Sequence, residues 1–261
     1  MGGGEASRTK AFIQWDKGTN VNGLKQVSLA LATAGVLASG VAQAALFDRG
    51  GGLLYDDVLN VTWLQDANYA KTSGYDADGL MSWSAANSWA ANLVYGGYSD
   101  WRLASNTPVG PGWNYGESND GSTDVGYNIR SPHSELSYMY YVNLGLKGYY
   151  DASGVYQPDW GVFGNGTYGG QADVGPVKNL QAYVYWSGTA YAPNPANYAW
   201  DFHPDGYQTY FPQSREFYAW AVRPGDVAAP IPEPETYAML LAGLGLLGVV
   251  AKRRRRSFPA S

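Results

Sequence analysis

Aromatic side chains in two irregular stretches are the residues of this sequence best suited to binding a ligand. The 261-residue chain contains 22 Tyr and 10 Trp. Stretches 106–128 and 145–175 are rich in Gly, Asn, Asp and Tyr, and both are long for connections within a compact domain. Long loops often carry binding sites, and the flat rings of Trp and Tyr can stack on sugars. The candidate ligand contacts are Trp113, Tyr115, Trp160 and Tyr168. The alternative is that these loops pack on themselves.

Clustered carboxylates indicate a second kind of site, for calcium. Asp76 and Asp78 precede Gly79, and Asp120 lies shortly before Asp124. Oxygen ligands suit calcium, but neither cluster continues to the Glu that closes an EF-hand loop. Asp residues that cap turns explain both clusters without a metal. We therefore assign no metal residues and expect no cofactor, with calcium as the open alternative.

Catalytic chemistry has little support in the sequence. Of the two histidines, His133 and His203, the second lies between Asp201 and Asp205. A His beside carboxylates can act as a general base, but no nucleophile elbow, P-loop, dinucleotide-binding fingerprint or zinc-protease motif accompanies either one. The absence of Cys excludes thiol nucleophiles, disulfides and Cys-based metal sites. We expect a protein that is not an enzyme, with glycan cleavage by a carboxylate pair as the catalytic alternative.

Charge is distributed unevenly along the chain. The formal net charge is −5, but residues 45–231 hold eight basic and 18 acidic residues, a net charge of −10. Nucleic-acid binding requires Lys and Arg surfaces, so nucleic acid is not expected as a partner. The same charge disfavours an anionic polysaccharide unless a cation bridges it to the protein.

The elements that would position these residues predict an α+β domain with two helices and an antiparallel meander. Apolar residues at helical spacing indicate one helix over 82–93, capped by Ser82, and another over 132–143, with Ser131 as N-cap and Pro132 at its first position. Alternating segments separated by turn residues predict an early hairpin and a late meander. The hairpin strands are 53–55 and 61–64, and the meander strands are 184–187, 198–202, 207–210 and 218–222.

Other residues in these segments are expected to be structural. Six tryptophans are predicted to lie in the core: Trp63, Trp83, Trp101, Trp186, Trp200 and Trp220. Asp100 and Arg102 flank Trp101 and fall on one face of an extended segment. This spacing predicts an ion pair or a turn lock.

Several segments, taken in order, resemble a known family. They are 60–64 (NVTWL), the helix with Trp83, 96–103 (GGYSDWRL), 134–136 (SEL), 185–189 (YWSGT) and 221–223 (AVR). Over about residues 47–225 this order resembles the family named after the C-terminal domain of the Legionella collagen-like adhesin, which binds sulfated polysaccharide. The resemblance implies a C-type-lectin-like fold and glycan binding. Many relatives carry Cys near the helix and in the last strand, but this chain has none there.

The N-terminal 44 residues are predicted to be an extension followed by a secretory signal peptide. Lys25 precedes an uncharged run over 27–41, and a small-x-small cleavage site ends at Ala44. A buried helix of the folded domain is the alternative. Residues 1–24 are polar and Gly-rich and fit no signal peptide, so we expect translation to begin further in.

The C-terminal segment resembles the PEP-CTERM sorting signal of Gram-negative bacteria. Its residues are Pro232, Glu233 and Pro234, an uncharged apolar run over 237–251, and the basic residues Lys252, Arg253, Arg254, Arg255 and Arg256. We predict that the run forms a transmembrane sorting helix, with the basic residues on the cytoplasmic side. The resemblance implies cleavage near Pro-Glu-Pro by an exosortase. An ordinary single-pass anchor is the alternative.

These features predict four segments: 1–44, the C-type-lectin-like domain 45–226, a linker 227–231 and the sorting signal 232–256. We expect signal peptidase and exosortase as partners during export, transient contact with the inner membrane, and extracellular polysaccharide as the final partner. The mature protein would lie at the cell surface or in the extracellular matrix. Its expected function is non-catalytic glycan binding. The alternatives are a structural matrix protein that acts through protein contacts of its aromatic loops, and a glycan-cleaving enzyme.

Overall fold

The computed structural model of the protein describes residues 46–227. The predicted signal peptide, most of the linker and the sorting signal, including the apolar run 237–251, lie outside these residues. Among the helices that the structure does describe, none is long and apolar enough to cross a membrane. The described chain is a mixed α+β structure made mostly of strands.

Residues 46–227 contain twelve strands, β1 to β12, and three short α-helices, α1 to α3. The strands are Leu46–Gly50, Leu53–Asp56, Val61–Leu64, Arg102–Leu103, Glu117–Ser118, Val125–Gly126, Gln171–Val174, Val177–Gln181, Tyr185–Ala190, Tyr198–Phe202, Gln208–Pro212 and Ala221–Pro224. The helices are Tyr69–Thr72, Trp83–Ala91 and Glu135–Tyr138, and α3 continues into a π-helical turn, Met139–Asn143.

The first sheet has the strand order β1-β2-β3-β12-β4 and contains the predicted early hairpin. Strands β2 and β3 are antiparallel, with Leu54 opposite Trp63. Asn60 turns the chain between them with a φ of 51°, a left-handed conformation that Asn adopts more readily than most residues. The last strand, β12, lies between β3 and β4, and Val222 is opposite both Trp63 and Arg102.

The second sheet has the order β5-β6-β11-β10-β9 and contains the rest of the predicted meander. Strands β9, β10 and β11 are antiparallel neighbours, which confirms three of the four meander strands. The fourth is confirmed only in part, because Tyr218 forms a parallel bridge to Tyr185 of β9, whereas β12 belongs to the first sheet. Alternation along a strand shows which face is buried, but it does not show which strand lies beside it.

The stretches predicted to be irregular contain more regular structure than expected. Strands β5 and β6 lie within 106–128, and β7 of the β7–β8 hairpin lies within 145–175. The parallel pairing of β5 with β6 depends on Gly126, whose φ is 127°. A Cβ atom at this position would lie 1.9 Å from the carbonyl oxygen of Ser118, so only Gly allows this approach.

Helix α2 confirms the first helix prediction. The Ser82 hydroxyl accepts the N–H of Ala85 at 3.4 Å and caps its start. Ala86 and Ala90 lie on the buried face of the helix, as their spacing predicts.

Helix α3 begins at Glu135, so the predicted start at Pro132 is wrong. The N–H of Ser134 donates to the carbonyl of Ser131 at 3.1 Å and closes a turn before the helix. Ser131 therefore caps this turn rather than the helix. The short helix α1 was not predicted.

Tryptophan rings join the sheets in one core. The predicted structural tryptophans Trp63, Trp101, Trp186, Trp200 and Trp220 are buried, and Trp83 is half-buried. The centroid of the Trp220 ring lies 4.7 Å from that of Trp63 and 6.0 Å from that of Tyr185, which is in the second sheet. Its indole N–H donates to the carbonyl of Leu64 at 2.7 Å, which fixes the ring in the core.

Two ion pairs fix the segment around Trp101, but the predicted pair between Asp100 and Arg102 is wrong. Asp100 accepts from Nε and Nη2 of Arg223 at 2.8 and 2.9 Å, and this guanidinium holds the pKa of Asp100 below its ordinary value. Arg102 donates through both terminal nitrogens to Glu135, each at 2.7 Å. The pairs tie β12 and α3 to β4, over distances in sequence that local alternation does not reveal.

Candidate functional site

Half-exposed aromatic rings on one face of the second sheet form the candidate site, called here the aromatic platform. Its members are Trp113, Tyr115, Tyr191, Tyr198 and Tyr210, and the buried ring of Trp200 lies beneath them. Trp113 stacks on Trp200 at 5.0 Å between ring centroids and 20° between planes, and Tyr191 stacks on Tyr210 at 3.6 Å and 14°. The rings support one another and remain partly exposed to solvent.

Strand alternation explains why these rings share one face. Tyr198 and Trp200 are two residues apart on β10, and Tyr210 on β11 is directly opposite Trp200. Tyr191 directly follows β9 and contacts Trp200 edge-on at 5.7 Å. The sequence placed Tyr198, Trp200 and Tyr210 in strands, but not Tyr191, and predicted none of them as part of the site. Their alternation with neighbours in the meander is the signal that pointed to them.

A buried carboxylate holds the loop that brings Trp113 and Tyr115 onto the sheet. Asp124 accepts the N–H of Val109 at 2.7 Å and the N–H of Asn114 at 2.6 Å, so it closes the loop on both sides of Trp113. The carbonyl of Asp124 accepts from the side chain of Gln208 on β11 at 2.9 Å. The loop is therefore fixed directly to the strand that carries Tyr210.

Two tyrosine hydroxyls of the platform, those of Tyr115 and Tyr191, are uncharged at neutral pH. Desolvation, and then the neighbouring Tyr210, raise the pKa of Tyr191 to about 12. Desolvation and the charge of Asp124 also raise the pKa of Tyr115. Both hydroxyls therefore keep their protons and can donate hydrogen bonds.

The four candidate ligand contacts separate into two places. Trp113 and Tyr115 lie together on the platform, at a centroid distance of 6.3 Å. Trp160 is only 3% exposed and packs under Tyr168 at 5.0 Å, so its ring supports Tyr168 rather than facing solvent. Tyr168 is 49% exposed and its hydroxyl donates to Asp205 at 2.7 Å. Burial, followed by this carboxylate, raises the pKa of Tyr168.

The Asp residues of the calcium prediction make local hydrogen bonds. Asp76 accepts the backbone N–H groups of Asp78 and Gly79 at 3.1 and 2.7 Å, and Asp120 accepts that of Ser122 at 3.0 Å. Within residues 46–227, no three Asp, Glu or His side chains lie close enough together to hold a metal ion. Calcium binding remains an untested alternative to the predicted absence of a cofactor.

The two histidines have different surroundings. His133 is exposed, and its Nδ1 lies 2.8 Å from the hydroxyl of Thr107. Nε2 of His203 lies 3.0 Å from Oδ1 of the buried Asp201, but the contact is poorly aligned for a hydrogen bond. Burial opposes the charge of His203, yet Asp201, with help from Asp205, raises its pKa. Burial also raises the pKa of Asp201. Among residues 46–227, this pair most resembles a catalytic acid–base pair. No nucleophilic side chain is seen in contact with it in this part of the chain.

Comparison with known proteins concerns the C-terminal segment. The family model described as the PEP-CTERM protein-sorting motif matches residues 230–256. The chain carries this sorting motif. The match includes every residue of the predicted sorting signal, from Pro232 to Arg256. It does not include Ala44, the predicted last residue of the signal peptide. No curated protein and no solved structure matches the chain.

The PEP-CTERM motif establishes the route of the protein. It indicates an exported protein that is processed by an exosortase, with a surface or extracellular location in Gram-negative bacteria. The match covers the sorting segment only, and the aromatic platform lies outside it.

Proposed function

We propose that this PEP-CTERM protein is a non-catalytic glycan-binding protein of the cell surface or extracellular matrix, and that the aromatic platform is its binding site. The observation that carries the proposal is the set of half-exposed, mutually stacked rings of Trp113, Tyr115, Tyr191 and Tyr210 over a buried Trp200. Stacked rings fixed in place lose little conformational freedom when a flat ligand binds. The apolar face of a pyranose ring fits such a surface.

The expected ligand is a neutral polysaccharide. The domain has a net charge of −10, and the hydroxyls of Tyr115 and Tyr191 stay protonated at neutral pH. A sulfated or uronate-rich chain would be repelled at long range unless a cation bridges it. Several rings in a row suit a chain of sugar units better than a single one.

We further propose that the described domain is a C-type-lectin-like fold related to the C-terminal domain of the Legionella collagen-like adhesin. The support is the order of the sequence motifs over about residues 47–225, together with the mixed α+β composition of the structure. The binding mode proposed here does not depend on this relationship, because it rests on the platform rings.

Affinity for polysaccharides tests the platform. We expect the full-length protein to bind a neutral polysaccharide saturably, and the double variant Trp113→Ala/Tyr115→Ala to bind at least about tenfold more weakly. A matched control is Tyr75→Ala/Tyr156→Ala, which removes two exposed tyrosines outside the platform. Trp160 is unsuitable for this test because its removal would leave a cavity in the protein.

Three outcomes would contradict the proposal. Binding that survives the loss of Trp113 and Tyr115 would place the site elsewhere. Binding that disappears with a chelator would place it at the Asp clusters. Failure to bind any polysaccharide, including that of the native host, would favour the alternative of a structural matrix protein.

The structural alternative has an observation of its own. Val155, Tyr156 and Phe163, all in stretch 145–175, are large apolar residues exposed to solvent. Exposed apolar residues of this kind can form contacts with other proteins of the matrix. Self-association abolished by Tyr156→Ser/Phe163→Ser, in the absence of glycan binding, would favour this function.

A further inference from the structure

A cleft of about 390 Å³ opens on the second sheet and shares no residue with the aromatic platform. Its lining includes Tyr168, Tyr183, His203, Phe211, Arg215 and Glu216. Phe211 follows Tyr210 on β11, and successive residues of a strand point to opposite faces. The cleft and the platform therefore lie on opposite faces of the same sheet. The volume falls in the range of roughly 300–1,000 Å³ that is usual for small-molecule pockets.

Aromatic rings form the walls of this cleft. Tyr183 is 41% exposed and packs edge-on against Phe217 at 6.2 Å, and Phe217 in turn contacts Phe211 at 5.8 Å. Tyr168, on the other side, rests on the buried Trp160. Each wall is thus an exposed tyrosine supported by a buried ring, which gives a fixed flat surface with a polar edge.

The polar group of the cleft is His203, held by a carboxylate that has no other partner. Both oxygens of Asp201 are buried and lack an aligned hydrogen bond in the described chain. Buried polar groups are nearly always satisfied, so this exception calls for an explanation. Oδ1 of Asp201 lies 3.0 Å from Nε2, so Nδ1 is the ring nitrogen that does not face this carboxylate. The ring also lines a small cavity of about 20 Å³ further in.

Acidic and basic groups both surround the cleft, and Asp205 lies near His203 as well. His203 lies beside Asp201, and the cation of Arg215 is next in sequence to the anion of Glu216. Neither Arg215 nor Glu216 has an ion-pair partner within residues 46–227, so both can bind a polar ligand. Aromatic walls with both donors and acceptors suit a ring that carries hydroxyl groups, and the acidic groups Asp205 and Glu216 disfavour an anionic one. We infer that this cleft is a second ligand site, which takes one neutral pyranose residue stacked on Tyr183 and hydrogen-bonded to His203.

The two histidines allow a direct test by proton NMR. The chain contains only His133 and His203, so two sets of imidazole signals are expected. The full-length protein is titrated with glucose, galactose, mannose and N-acetylglucosamine, and with glucuronate as a charged probe. We expect at least one neutral sugar to move the His203 signals saturably and to leave those of the exposed His133 unchanged.

Variants connect the signal to the cleft. Tyr183→Ala should weaken the binding that moves His203 by at least about tenfold, or roughly 1.4 kcal/mol, whereas Tyr183→Phe should bind nearly normally because it keeps the ring. Trp113→Ala, on the platform, should leave the shift in place. This variant separates the second site from the proposed platform function, since each can fail alone.

Several results would overturn the second site. One is that no neutral sugar moves the imidazole signals of His203. Others are that the signals of both histidines move equally, or that only glucuronate moves them. Persistence of the shift in Tyr183→Ala, or its loss in Trp113→Ala, would also overturn it. Thermal unfolding of each variant verifies that the fold is retained.

Discussion

At the scale of residues, buried carboxylates fix backbone turns in this domain. Asp56 accepts the N–H groups of Val58 and Leu59, at 3.0 and 2.9 Å, and Asp124 accepts two further N–H groups beside Trp113. Burial raises the pKa of Asp56 despite these bonds. Some of the many Asp residues therefore stabilise turns. The amino-acid composition alone did not distinguish this role from calcium binding.

Glu135 gives the clearest stability prediction at this scale. Its side chain is 10% exposed and accepts from Arg102 and from the N–H of Ser105, the latter at 2.6 Å. Glu135→Ala leaves both donors without their acceptor, and we expect a loss of roughly 2–3 kcal/mol in the free energy of unfolding. Arg102 can still reach water, which keeps the loss moderate. Urea unfolding measures the change, and Asp173→Asn, in an exposed pair with Lys178, should have little effect.

The buried Asp201 and the half-buried His203 beside it predict a pH dependence. Both pKa values are raised, so the folded protein holds these protons more tightly than the unfolded chain. The stabilisation from His203 is complete below its ordinary pKa of 6.5 and is lost as the pH rises through the higher folded value. Asp201 acts in the same direction from 3.8 upward. We therefore expect the free energy of unfolding to fall as the pH rises above 6.5.

Urea unfolding at a series of pH values tests this prediction. The charged groups that face or line the surroundings of His203 are Asp201, Asp205, Arg215 and Glu216. His203→Gln should flatten the dependence above neutral pH, and His133→Gln is the matched control. A slope unchanged in His203→Gln would show that another group is responsible.

At the scale of elements, the sequence predicted strands well and their neighbours poorly. The hairpin of β2 and β3 and the β9–β11 meander follow from local alternation and from turn residues. The position of β12 depends on contacts such as Arg223 with Asp100, which are distant in sequence. For the same reason the sequence predicted Trp113 and Tyr115 as ligand contacts but did not place Tyr191 and Tyr210 beside them.

The loop that carries Trp113 should depend on Asp124. Asp124→Ala leaves the N–H groups of Val109 and Asn114 without their acceptor, and we expect a loss of roughly 2–4 kcal/mol in stability. Glycan affinity should also fall, even in protein that remains folded, because Trp113 loses its fixed position on Trp200. Asp120→Ala is the matched control, since its carboxylate bonds only within its own turn. Equal effects of the two variants would contradict the assigned role.

At the scale of the whole molecule, the sorting motif and the folded domain adjoin in sequence. The described domain ends at Val227, and the motif match begins at residue 230. Replacing Pro232, Glu233 and Pro234 with Ala should prevent exosortase processing, so that the domain stays in the cell envelope with its tail attached. Intact-mass measurement of protein from the native host tests this. Ser257→Ala, just beyond the matched residues, is the control, and normal processing of the triple variant would contradict the assignment.

The central place of β12 has a consequence for the timing of export. A chain that crosses the membrane from its N-terminus delivers β12 after every other strand of the described domain. Until then no strand lies between β3 and β4 of the first sheet. The indole N–H of Trp220 also lacks its acceptor, the carbonyl of Leu64, which is 156 residues away in the chain. Such distant pairings form late in folding. The first sheet therefore cannot be completed until the residues just before the sorting motif have crossed the membrane.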